Sequence, residues 1–252
     1  MAMLLLLGTI WLGTGEARGS PTLWGYTGLI NIPTADLVPD GLAVVGTGYV
    51  QRPYGVSRCP GHDNATYYAA LGFFPFLEVN MRVTRICGSN LDRVLDRYGS
   101  DKDRSVGIRV RVLEQRAGRP SVLIGLHDPS LEGAGLGNLS NSGFSAFYVA
   151  GSKRVGRVGL HAGYAVDWLL VRSPHFIGLF GGVECAATRW LAAMAEYDTH
   201  KSSAGIRCAI PLRRAIGSGY GAQDAHGALL GFDVVSLGLK KISGGIYVQF
   251  GL

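Results

Sequence analysis

No stretch of this chain approaches the ~20 consecutive apolar residues that a helical membrane span requires. Nor does it hold a convincing long amphipathic helix of the kind a soluble α/β enzyme carries. Charge is scarce: Asp, Glu, Lys and Arg make up 17% of the residues against 47% hydrophobic ones, the reverse of a disordered chain's balance. None of the six histidines (His62, His127, His161, His175, His200 and His226) has a metal spacing such as H-E-x-x-H, and no serine stands in a G-x-S-x-G context. Residues 133–137 read GAGLG but lack the lysine and the following helix of a phosphate loop. No catalytic residue, metal site or cofactor is therefore expected. The net charge of +6 hints at an anionic partner at most, and no nucleic-acid partner is expected.

What the chain has in quantity is glycine, 38 residues, set inside alternating segments. Glycine in strands marks close backbone approach and sharp curvature, both of which barrels need. In the last nine residues Ile246, Val248, Phe250 and Leu252 fall on one side of a strand and Tyr247, Gln249 and Gly251 on the other. The clearest case is 104–115, where Val106, Ile108, Val110 and Val112 oppose Gly107, Arg109 and Arg111. Four branched aliphatics on one face and two arginines on the other call for hydrocarbon on one side and water or counter-charge on the other. Similar segments recur near 42–51, 65–73, 77–85, 120–127, 144–153, 157–166, 176–185, 190–198, 203–212 and 228–239.

The links between them alternate in length. Those at 52–64, 88–103, 128–143 and 167–174 are long, and those at 75–76, 116–119, 154–156 and 186–189 are short. Long loops sharing one end and tight turns the other is the asymmetry of membrane barrels. The link at 199–202 breaks the rule, and 213–225 reads either as a weak strand or as an overlong link. The predicted fold is all-β: an antiparallel up-and-down transmembrane β-barrel of about twelve strands, ten or fourteen being the alternatives. It would occupy 20–252. Residues 1–19 read as an export signal, with a short apolar run at 3–12 and small residues around Ala17 and Gly19, although its n-region carries no Lys or Arg.

Several motifs carry a resemblance: TGLINIPTA (27–35), FPFLEVNMRVTR (74–85), VRVLEQ followed by RPSVLIGLHD (110–128), YVAGSKRVG (148–156), FGGVE (180–184) and AEYD (195–198). In this order they resemble the YjbH-type family of outer-membrane proteins tied to exopolysaccharide production, of which this would be a short member. The resemblance singles out Thr27, Gly28, Asn31 and Pro33. It implies a β-barrel in the bacterial outer membrane linked to surface polysaccharide, and the function expected of it is non-enzymatic assistance to the export or surface display of an exopolysaccharide. The partners expected with this function are an acidic exopolysaccharide and other envelope export proteins. An adhesion-type barrel acting through its long extracellular loops is the alternative, followed by a lipid- or glycan-modifying enzyme using a serine with His127 or His161.

Arg82, Arg109, Arg111 and Arg207 share the non-lipid parity of their strands, with Glu78, Glu184 and Glu196 on a similar side. They read either as a charged lumen that passes an acidic glycan or as ion pairs filling a narrow interior, since a barrel of about twelve strands lies between filled and open types. The segment 23–37 would plug or line a barrel mouth, or simply lead into the first strand. Cys59 and Cys87 are expected at the same barrel end, where an oxidising periplasm permits a disulfide. Cys185 and Cys208 are expected on the lipid face as small hydrophobes.

Overall fold

The structure, a computed structural model, describes residues 19–55, 61–87, 102–128, 145–168, 176–212 and 228–252. Twelve antiparallel strands close into a barrel in which each strand pairs with its sequence neighbours and the first with the last. The first four are β1 (Leu42–Val50), β2 (Asp63–Phe73), β3 (Leu77–Cys87) and β4 (Lys102–Leu113). They are followed by β5 (Ser121–His127), β6 (Ala146–Val155), β7 (Val158–Val166) and β8 (Gly178–Ala186). The last four are β9 (Leu191–Tyr197), β10 (Ser202–Pro211), β11 (Leu229–Leu237) and β12 (Lys241–Gly251). Closure is completed where Leu42 pairs with Gly251 and the Leu252 N–H donates to the Gly41 carbonyl at 2.9 Å.

The alternation seen in the sequence sorts side chains as a membrane barrel requires. In β4, Asp103, Ser105 and Arg109 are buried inside while Val106, Ile108 and Val112 are exposed outside. In β12, Ser243, Tyr247 and Gln249 face inward and Ile246 outward. Cys185 and Cys208 lie on the outward parity, exposed and half-buried. Aromatic residues edge the outer band at both ends: Phe73, Phe74, Phe76 and Trp190 at one, Tyr49, Phe147, Tyr164, Trp168 and Tyr197 at the other. Two such girdles around an apolar belt are the exterior of a membrane-spanning barrel. Ile108→Arg should therefore cost about 2–4 kcal/mol near the bilayer midplane. The readout is the urea midpoint for folding into phospholipid vesicles, and an unchanged midpoint would mean that this face does not meet lipid.

Glycine abundance has a specific cause on the inner face. Gly125 lies directly opposite Tyr148, Gly163 opposite Phe180, and Gly231 opposite Tyr247. A methyl group added at any of the three would fall 2.0–2.2 Å from the facing ring. Each large ring thus lies over a residue with no side chain, which lets it turn flat against the wall and cover exposed backbone.

The link lengths depart from the expected alternation in the last third. The links 51–62, 88–101, 128–145 and 167–177 share one end, and the turns after β2, β4, β6 and β8 share the other. At the long-link end, however, 198–201 and 238–240 are tight turns, while the link 212–228 belongs to the short-turn end. The segment 213–225, read as a weak strand or a link, lies outside the described residues, as do residues 1–18 of the expected export signal. Both ends of the closed sheet, Leu42 and Gly251, stand at the short-turn end, as the even strand number demands.

Candidate functional site

Residues 19–41 precede the first strand and fold back into the barrel. Two reversals shape the segment, marked by isolated pairings of Pro21 with Thr27 and of Gly28 with Pro33. In the first, the Gly25 N–H donates to the Thr22 carbonyl, the Thr22 N–H to the Tyr26 carbonyl, and the Trp24 N–H to the Thr22 hydroxyl. Gly25 has φ +88°, and a Cβ there would lie 2.3 Å from that of Tyr68, so both backbone and space require glycine. Within the second, the Trp24 indole N–H reaches the Asn31 side-chain oxygen at 3.1 Å, and the Tyr26 hydroxyl donates to the Asn31 carbonyl. Burial pushes the Tyr26 phenol well above its ordinary value, so it stays a donor.

This segment is the centre of the hydrophobic core. Leu23, Trp24, Tyr26, Leu29, Ile30 and Ile32 are each no more than 1% exposed. They pack on wall residues that include Leu123, Tyr148, Phe176, Phe180, Met194 and Val235. Tyr26 lies 4.3 Å, centroid to centroid, from His127 and 5.9 Å from Phe176. The wall makes room for it: a Cβ at Gly48 would sit 2.3 Å from the Leu23 carbonyl oxygen. The lumen is thus plugged by the chain's own N-terminal segment.

Inward-facing charges hold the plug by its backbone. Glu196 of β9 accepts from the N–H groups of Ile30 at 2.8 Å, Asn31 at 2.8 Å and Ile32 at 3.2 Å, and from the Asn31 side-chain amide at 2.9 Å. A carboxylate has about four acceptor positions, and the tip of the plug fills them. Glu78 of β3 accepts from the Thr27 hydroxyl at 2.6 Å, the Thr27 N–H at 3.2 Å and the Val38 N–H at 2.9 Å. Arginines take the carbonyls. Arg207 of β10 reaches Pro21, Gly28 and Leu29 at 2.7–3.1 Å, and Asp233 of β11 grips it by two bonds of 2.8 and 2.9 Å. Arg109 of β4 bonds the Thr34 carbonyl, Glu78 at 2.8 Å and the Tyr148 hydroxyl at 3.0 Å.

Each of these ions is at most 4% exposed, apart from Asp233 at 6%. Ions so buried are tolerated when further hydrogen bonds satisfy them, and here the plug's backbone supplies those bonds. Irregular backbone at membrane depth is likewise tolerated only where it is buried in protein with its polar groups met. The wall charges and the plug solve each other's solvation problem.

Of the residues singled out in the sequence, Arg82, Arg109, Arg207, Glu78 and Glu196 all lie in this interior. Arg82 pairs with Asp103 at 3.1 Å and stands over the Trp24 ring at 5.3 Å. Glu184 pairs with Arg154 at 2.9 Å, beside a small polar pocket that also touches Thr34, Asp36 and Arg207. That pocket's cavity volume, ≈10 Å³, is room for about one water. Arg111 shares the parity of Arg109 but lies at the short-turn rim, where it bonds the Pro75 carbonyl and takes no part in the network. The motif residues Thr27, Gly28, Asn31 and Pro33 are all plug residues. Of the cysteine pair, Cys59 lies outside the described residues, and the Cys87 thiol rests on the Arg85 carbonyl at 3.6 Å.

Sequence reasoning did not find Tyr148, Ser152 or Asp233. Ser152 of β6 accepts the Ala35 N–H at 2.8 Å and pairs with His161 Nδ1 at 2.8 Å. Its oxygen is committed to the plug at 4% exposure. The signal for Asp233 was present, an acid in the apolar run LLGFDVVSL on the strand beside that of Arg207.

No curated relative matches the chain. Among solved structures the KdgM porin aligns over 83% of this chain and 99% of its own length, at 7% identity and a TM-score of 0.46. The model of the YjbH family, described as exopolysaccharide biosynthesis protein YbjH, matches residues 20–174. That span runs from the plug through β7 and takes in Glu78 and Arg109 together with the Thr27 and Thr34 groups they hold. With more than half its length matched, this chain belongs to the YjbH family of exopolysaccharide biosynthesis proteins.

Proposed function

We propose that this protein assists the export or surface display of an exopolysaccharide as a closed, non-enzymatic β-barrel in the bacterial outer membrane. Family membership supports the polysaccharide, and the apolar exterior with its two aromatic girdles supports the membrane. The observation that carries the reading is the filled lumen: Trp24, Tyr26 and Ile32 are buried in the barrel's core, so among the described residues the plug occupies the path a polymer would take. The protein then acts through its two ends, on an acidic polymer and on other envelope export proteins, and the interior charges serve the plug.

An enzyme built on Ser152 and His161 fits this interior poorly, because the serine oxygen lies under the Ala35 N–H in the barrel wall. The test is a deletion strain complemented with the wild-type chain or with Ser152→Ala, scored by surface polysaccharide. Deletion should lower it and both chains should restore it. A folded Ser152→Ala barrel that fails to restore the polymer while its 20–38 segment stays as protease-resistant as in the wild type would favour the enzymatic reading instead. The adhesion-type reading draws on the four links gathered at one end. Removing 88–101 would, on that reading, abolish cell attachment while polymer export continues.

A further inference from the structure

The short-turn end of the barrel is basic along one arc. Its turns after β4, β6 and β8 carry Arg116, Arg119, Arg157 and Arg189, all exposed, with Lys153 half-buried beside them. Glu114 is the only acid in these three turns, and Glu184, further inward on β8, is paired with Arg154 at 2.9 Å. The turn after β2 reads Phe74, Pro75 and Phe76 instead and carries no charge. Neutral groups fix the cations in place. The Lys153 ammonium donates to the Arg116 and Ala117 carbonyls at 2.7 Å and to that of Arg119 at 3.2 Å. Arg119 Nε donates to the Glu114 carbonyl at 3.3 Å, Arg157 to the Ala187 carbonyl at 3.4 Å, and Arg189 stands 4.3 Å over the Trp190 ring. Carbonyls and a ring orient a cation without cancelling its charge, so the arc stays positive as a whole.

The three turns are also stitched to one another. Arg116 and Arg119 exchange backbone hydrogen bonds of 3.1 and 3.3 Å across Ala117 and Gly118, which closes the first turn tightly. The Gln115 side chain joins that turn to β6, giving a bond to the Arg154 carbonyl at 3.1 Å and taking one from the Arg154 N–H at 2.8 Å. The Ala186 N–H donates to the Arg157 carbonyl at 2.9 Å and so joins the second turn to the third. A surface held this way loses little freedom when a ligand settles on it. Neighbouring turns are centred two strands apart, so the arc spans about 20 Å. One carboxylate or phosphate covers a single turn of it, whereas a linear polyanion reaches all three. Guanidinium forks suit carboxylates in particular.

We infer that the arc formed by Arg116, Arg119, Arg157 and Arg189 is a docking surface for a carboxylate-bearing polysaccharide on the periplasmic side of the barrel. The inference rests on the function proposed above, which supplies the polymer and turns the short-turn end toward the periplasm. With the plug in the path through the lumen, a polymer meets this protein at its ends, and this end offers a fixed row of cations. Bound there, the chain lies along the rim, within reach of other envelope export proteins. Because the cations are exposed, salt should weaken the binding.

The test titrates the full chain, in a neutral detergent, with alginate oligomers long enough to span ~20 Å, and follows the heat of binding by calorimetry. Glucuronate monomer, neutral dextran and phosphatidylglycerol are titrated in parallel. The oligomer should bind saturably and dextran should not. R116Q/R119Q should weaken oligomer binding about tenfold, while Lys240→Gln at the other end should bind as wild type does. Arg157→Gln alone should weaken it about threefold and covers the case in which the double variant does not fold. Equal binding by wild type and charge-removed barrels would overturn the site. Glucuronate that competes as well as the oligomer, residue for residue, would replace the polymer with a free anion. Arginine-dependent binding of phosphatidylglycerol without binding of the oligomer would give the arc to inner-leaflet lipid. The deletion strain reports separately on the function: surface polysaccharide unchanged by deletion sinks that reading. Polysaccharide lost on deletion, with oligomer binding indifferent to the arginines, sinks this inference alone.

Discussion

Arg207→Ala is expected to destabilise the folded barrel by about 3–5 kcal/mol, the usual consequence of leaving one member of a buried pair without the other. The loss is compound. Asp233 would remain 6% exposed without its bidentate partner, and the carbonyls of Pro21, Gly28 and Leu29 would lose their donor in one step. Urea titration of folding in vesicles measures this, with Asp233→Ala and the double variant completing a thermodynamic cycle. The double variant should cost less than the sum of the two single changes, because residues in one network are not additive. A single-variant loss below about 1 kcal/mol would mean that water reaches the pair and that the plug is loosely seated.

Glu196→Ala acts on the plug more than on the wall. It removes the acceptor for four donors at the tip, three of them backbone N–H groups that cost about 1–3 kcal/mol each if left buried and unmet. The tip should therefore leave its place and find water, while the strand ladder persists. Limited proteolysis of the folded protein should then cut within 20–38, whereas the buried segment of the wild type should resist cleavage. Glu196→Gln should fall between the two, since its amide keeps one acceptor oxygen and turns N–H groups toward other N–H groups. Equal resistance in all three proteins would show that apolar packing around Trp24 and Ile30 holds the plug without the carboxylate.

The barrel was legible because its signal is local and repeated. Period-two alternation in segments such as 104–115 and 246–252 sorted side chains to the faces on which they are found, and twelve such segments gave the strand number. Link length followed the alternation through β8, and the short link read at 199–202 already broke it: 198–201 and 238–240 are tight turns at the end that otherwise carries the long links. Nothing in a strand's own pattern sets the length of the link beyond it.

The site was half legible. Parity placed Arg109 and Arg207 inside, but parity reports the face of a strand and says nothing of depth. Arg111, two residues past Arg109, therefore looked equivalent and stands at the rim. The partners were illegible for a different reason. Glu196 holds backbone groups more than 160 positions away, and a hydrogen bond to a main-chain N–H leaves no trace in the identity of the residue that donates it. The motif 27–35 was visible as a motif, and its role emerges only when the wall that surrounds it is complete.

Single-channel recording from the full chain in a planar bilayer tests the plugged lumen most directly. At low voltage the wild-type protein should stay near baseline, and a chain lacking 20–38 but still folding as a barrel should open steady conductance. Sustained porin-like currents from the wild type, unchanged when 20–38 are removed, would contradict a barrel filled by its own N-terminal segment.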